Sequence, residues 1–149
     1  MNSHPYVRAY LAGIVVPTLF MLAVFCAFVV PHFFILKETV PIERFLIFPM
    51  ALAPNAFGAW NMLYLRLRQS GYIPIGFHGA LLPFLIAPFG FFVGHSLGFV
   101  AAGDGRITWF QAISFPYALV ATGFAIALAV YYLVWKYFVN FFNELLGIA

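Results

Sequence analysis

Four long apolar stretches, at residues 9–36, 45–65, 75–102 and 107–142, fill nearly all of this chain. Each is at least as long as the roughly 20 residues a helix needs to cross the hydrocarbon of a bilayer. The three gaps between them hold most of the charges. Only 7% of the 149 residues are charged, 65% are hydrophobic, and the mean hydropathy is +1.02. A soluble domain carries about 25% charged residues, so a water-facing surface cannot be assembled here. The expected fold is all-α: a four-transmembrane-helix antiparallel bundle forming a single integral membrane domain over residues 1–149.

Four spans place both termini on one side of the membrane. That side carries Arg8, Arg66, Arg68 and Lys136, against Lys37, Arg44 and Arg106 on the other. The excess of basic residues predicts an N-in, C-in arrangement. Nine of the eleven Trp and Tyr residues also fall toward the terminal side, where amphipathic rings form an interfacial belt. Short loops and the lack of a transit-type segment point to a bacterial inner (cytoplasmic) membrane, with both termini cytoplasmic. The net charge of +3 comes from these scattered anchors, and no basic patch of the size nucleic acid requires is present. Cys26 is the sole cysteine, which excludes an internal disulfide and a cysteine metal cluster.

Prolines punctuate the spans. Pro17 and Pro31 are expected kinks in the first, and Pro116 lies near the start of the fourth. The second and third share a spacing, Pro49–Pro54 and Pro83–Pro88, each with Ala before the second proline. Paired broken helices of this kind mark transporter-like sites. The third stretch also repeats small residues every four positions: Gly90, Gly94, Gly98 and Ala102. In lipid, where burial of apolar surface no longer drives association, such a stripe lets backbones approach. Ala121 and Ala125, with Ala118, Thr122 and Ala129, form the matching stripe on the fourth.

Polar residues inside a membrane are costly and mark candidate sites. Asn55, Asn61, Arg66, Arg68 and His78 are the candidate ligand pocket, the two guanidiniums being suited to a phosphate headgroup. Otherwise Asn55 satisfies a carbonyl freed by a proline, and Asn61 is an interfacial anchor beside Trp60 and Tyr64. His32 and His95 lie at similar depth on different spans and are the candidate metal ligands if haem or a chlorophyll-type pigment is bound. Asn140, Asn143 and Glu144 are expected at the surface, facing headgroups. Gly103–Asp104–Gly105–Arg106 reads as a tight turn.

No nucleophile, carboxylate pair or phosphate loop completes a catalytic set, which leans against an enzyme. The expected function is a non-catalytic subunit packing against partner helices in a larger membrane complex, with lipid and other membrane subunits, or a second copy of itself, as partners. The alternatives are a small oligomeric transporter or channel using the kinked second and third spans, and a haem- or pigment-binding protein or lipid-modifying enzyme.

Overall fold

The computed structural model of the protein describes residues 4–29, 31, 42–71, 73–109 and 113–148, with the backbone alone for residues 28, 29 and 42–51. The chain is mostly helical and forms two compact units. The first comprises Met1–Ile73 and Tyr137–Ala149, the second Pro74–Lys136.

In the first unit, α1 runs Pro5–Val24 and continues as a π-helical segment, Phe25–Val29. Pro5 occupies the first turn, where its missing N–H costs nothing and its fixed φ favours the helix. α2 spans Ile42–Leu67 and ends in a 3-10 turn, Arg68–Ser70. The short α5, Asn140–Leu145, completes the unit. Its apolar core joins Ala9, Ala12, Leu65 and Ile148, flanked by Met62, Phe142 and Leu146. α1 meets α2 through a face of small residues, Ala9, Ala12, Gly13 and Pro17, all buried. At the crossing the backbones nearly touch: a Cβ on Gly13 would lie 2.6 Å from the Phe57 carbonyl oxygen and 2.8 Å from Gly58 Cα. Gly58 in turn leaves room for the Tyr10 ring and Ile14.

In the second unit, α3 (Ile75–Ser96) packs against α4 (Tyr117–Leu133). The contact is closest near the start of α3. A Cβ on Gly79 would fall 1.9 Å from Trp135 Cγ, and one on Gly76 would fall 2.8 Å from the Tyr132 ring. Phe77–Tyr132 and Phe84–Phe124 extend the seam as edge-to-face pairs. Beyond α4 the helix continues through a π segment, Val134–Val139, before α5.

Between α3 and α4 lies an antiparallel three-stranded sheet: β1 (Val100–Gly103), β2 (Arg106–Trp109) and β3 (Ile113–Pro116). β1 and β2 are joined by Asp104–Gly105, both at positive φ (49° and 74°), a two-residue hairpin turn of the type that the Asp-Gly pair favours.

This sheet corrects the expected limits of the third and fourth helices. α3 stops at Ser96 rather than running to 102, and α4 begins at Tyr117 rather than 107. The physical reason is Gly98, at φ 75°. Its N–H bonds the His95 carbonyl at 3.1 Å and the Phe99 N–H bonds the Gly94 carbonyl at 2.8 Å. That is the two-bond closure of a Schellman C-terminus. The start of the first stretch also shifts, to Pro5, and its end past 31 lies outside the described residues. Among the described residues, three helices are long and apolar enough to cross a membrane: Pro5–Ala27, Ile75–Ser96 and Tyr117–Leu145.

Candidate functional site

The most polar buried feature of the first unit is an asparagine pair. Asn61, one turn before Leu65 on the face of α2 that meets α1, donates from Nδ2 to the Ala9 carbonyl at 2.8 Å and to Asn143 Oδ1 at 2.7 Å. Asn143 Nδ2 donates back to Asn61 Oδ1 at 3.2 Å. Asn61 is 1% exposed and Asn143 5%. The two amides thus join three helices, and each satisfies the other where solvent is excluded.

Asn143 is held in place by the end of α5. The Ile148 N–H bonds the Asn143 carbonyl at 2.9 Å, and the Gly147 N–H bonds Glu144 at 2.9 Å. Arg8 Nη1 donates to the Leu146 carbonyl at 2.7 Å, so a cation caps the negative end of that short helix. Arg8 Nε is buried with no hydrogen-bond partner. The asparagine pair lines a small recess together with Ala9, Tyr64, Leu65, Arg68 and Ile148.

Of the expected pocket residues, Asn61 and Arg68 therefore share one recess. Asn55 lies elsewhere on α2, exposed, where it accepts a hydrogen bond from the Tyr10 hydroxyl. Arg66 is exposed and does not line the recess. His78 belongs to the second unit, fully buried and edge-on to Trp135 at 5.7 Å between ring centroids. Two expectations are corrected. Asn61 is a buried connector rather than an interfacial anchor, and Asn143 is buried rather than facing headgroups. Asn140 and Glu144 do bond each other at an exposed position, at 2.7 Å.

His95, the candidate axial ligand, stacks on Phe91, and its Nδ1–H donates to the Val100 carbonyl at 3.1 Å. It ties α3 to β1. His32, its expected partner, lies outside the described residues. Among the described residues no group of three or more His, Cys, Asp or Glu side chains is placed to hold a metal ion.

The small-residue stripe divides along its length. Nothing lies within 4 Å of a Cβ built on Gly90, and Gly94 instead accommodates Val100, whose Cγ2 would sit 2.8 Å away. Gly98 serves the helix end and Ala102 stands on β1, so neither continues a helical groove. Ala121 and Ala125 are exposed, together with Ala118, Thr122 and Ala129. The side of α4 turned to α3 carries Phe124 and Tyr132 instead, and Trp135 continues it on the π segment that follows. The glycines that bring helices together, Gly13, Gly58, Gly76 and Gly79, escape a search for four-residue repeats, because each close approach uses one or two small residues against an aromatic ring or bare backbone. Comparison of the chain with protein families, with curated proteins and with solved structures finds no match.

Proposed function

We propose that this protein is a four-span integral membrane protein, of a bacterial inner membrane with both termini cytoplasmic, that serves as a non-catalytic subunit by offering helix faces to partner helices. One observation carries the reading. α4 has no buried residue, and Ala118, Ala121, Thr122, Ala125 and Ala129 line one of its exposed faces. Small side chains gain little from contact with lipid tails, but they let another helix come close. Large apolar groups are exposed beside them, including Ile126 at 61% and, on α3, Phe92 at 68%. Hydrocarbon accommodates that surface and water does not. α2, at 26 residues, has the length of the fourth span.

The interior polar groups fit a packing role. Asn61, Asn143 and His95 all bond protein partners. Thr18 and Thr122 bond carbonyls one turn back, at 2.6 and 2.9 Å, the usual way a hydroxyl is satisfied within a span.

The test is solubilisation from the native host in mild detergent. A specific protein should copurify, and Ala121→Leu with Ala125→Leu should remove it while leaving the thermal midpoint of this chain unchanged. A monodisperse lone monomer from native membranes would contradict the subunit reading.

A further inference from the structure

The three strands have two chemically distinct faces. The register pairs Val100 with Trp109 and Trp109 with Ile113, and Ala102 with Ile107 and Ile107 with Phe115. Residues paired across strands share a face. One face therefore reads Val100, Ala102, Ile107, Trp109, Ile113 and Phe115. The other reads Ala101, Gly103, Arg106, Thr108, Ser114 and Pro116, with Thr108 and Ser114 hydrogen-bonded to each other at 2.8 Å. The apolar face is left largely open within the second unit. Val100 is covered, but Trp109 is 40% exposed, Ile113 57% and Phe115 38%.

The sheet is fastened at both ends. His95 bonds the Val100 carbonyl, Gly94 leaves room for the Val100 side chain, and the Tyr117 N–H bonds the Gly105 carbonyl at 3.0 Å. Three residues, Leu97–Phe99, separate α3 from β1, and none separates β3 from α4. A three-residue link reaches at most about 10 Å. α3, at 22 residues, is about 33 Å long and matches the hydrocarbon thickness. If α3 and α4 cross the membrane, the sheet has nowhere to be but the headgroup layer, about 5–8 Å deep on each side. It cannot sink into hydrocarbon, because among the described residues its two outer strands pair only with β2 and so carry open edges. Nor does an open face of Trp, Ile and Phe suit water.

We propose that this sheet is an interfacial plate whose partner is the lipid surface: its apolar face rests on the boundary between headgroups and acyl chains, and its Thr108–Ser114 face meets water. The plate holds the ends of α3 and α4 at a fixed depth, with Trp109 as an interfacial anchor. This inference rests on the membrane-spanning reading above and adds a surface to it.

The experiment uses the full chain with Cys26→Ala as background, reconstituted in phosphatidylcholine–phosphatidylglycerol vesicles. Single cysteines replace Ile113, Ser114 and Phe115 in turn, with Val130→Cys on the exposed side of α4 as the control, and each carries an environment-sensitive fluorophore. The expected result is alternation. Labels at 113 and 115 are quenched several-fold more by shallow nitroxide lipids than by iodide, the label at 114 shows the reverse, and the control is quenched by deep nitroxide lipids. Iodide quenching at all three strand positions with a lipid-quenched control overturns the plate alone. Protection of 113 and 115 from both quenchers overturns it in favour of a protein partner on that face. A control quenched by iodide overturns the spanning reading and the plate with it. Wild-type helicity by circular dichroism is the entry condition for each variant, and should position 115 fail it, position 109 takes its place on the same face.

Discussion

Asn61 makes three hydrogen bonds in a site closed to solvent, two to Asn143 and one to Ala9, and this is where single substitutions should cost most. Replacing Asn143 by Leu leaves Asn61 Oδ1 and half of its donor capacity without partners. The expected loss is about 1–3 kcal/mol, the cost of an unpaired buried polar group. A double-mutant cycle of Asn61→Leu and Asn143→Leu, read by unfolding in a detergent titration, should give a coupling of about 0.6–1.7 kcal/mol, the range for hydrogen bonds between membrane helices. A coupling of zero would mean that the two amides do not bond. Glycines give a sharper contrast. Gly79→Ala places a methyl 1.9 Å from Trp135 Cγ, at the rigid root of that side chain, and should destabilise by about 1–3 kcal/mol or more. Gly90→Ala meets nothing within 4 Å and should be neutral or stabilising by up to about 1 kcal/mol. Sequence reasoning singled out Gly90 through its four-residue repeat and passed over Gly79. A recurrence every four residues identifies a helix face, but not what stands opposite. The opposing surface at Gly79 is one tryptophan 56 positions away, and no local pattern announces it. Asn61 stood out as a polar residue in an apolar run, but beside Trp60, Tyr64 and two arginines it read as an interfacial anchor or pocket residue rather than as a buried connector. The partner, Asn143, was not legible, since near a chain end an asparagine reads equally well as a headgroup contact.

The elements were legible where hydropathy alone decides them. α3 and α4 fall inside the third and fourth apolar stretches, α1 overlaps the first but starts earlier, at Pro5, and the Asp104–Gly105 turn lies where its residue pair predicts. The sheet was not legible. Val100–Pro116 is apolar enough to extend either flanking helix, and a short apolar run does not reveal its own period. Two local signals distinguish it in retrospect. Gly98 ends α3 in the left-handed region, and Ile107, Thr108 and Ile113 are β-branched residues around a hairpin turn. The first signal is testable. Gly98→Ala forces a side chain into φ 75°, which costs about 1–2 kcal/mol, and should lower the thermal midpoint in detergent. It should also loosen the His95–Val100 tether, seen as faster amide exchange at Phe99. If Gly98→Ala were as stable as the parent, the helix would have to continue through this position and the strand assignment of Val100–Gly103 would fall.

At the scale of the whole molecule, polar chemistry is sparse and mostly spent on internal ties, while aromatic and aliphatic groups cover the outside. Among the described residues thirty large apolar side chains are exposed, a severe liability in water and the contact that hydrocarbon would accommodate. Arg8 capping α5, Arg66 and Arg68 at the end of α2, and Arg106 at the hairpin lie at or beyond helix ends, where membrane proteins keep their charges. That distribution makes a definite claim about which residues share a compartment. The most direct measurement places single cysteines, in the Cys26→Ala background, at His4, Gln69, Asp104 and Leu145 and treats sealed, right-side-out membrane vesicles with a membrane-impermeant maleimide. Asp104 alone should be labelled from outside, and the other three only after the vesicles are opened. Labelling of Gln69 and Asp104 from the same side would show that α3 does not cross the membrane and that the chain does not span it four times.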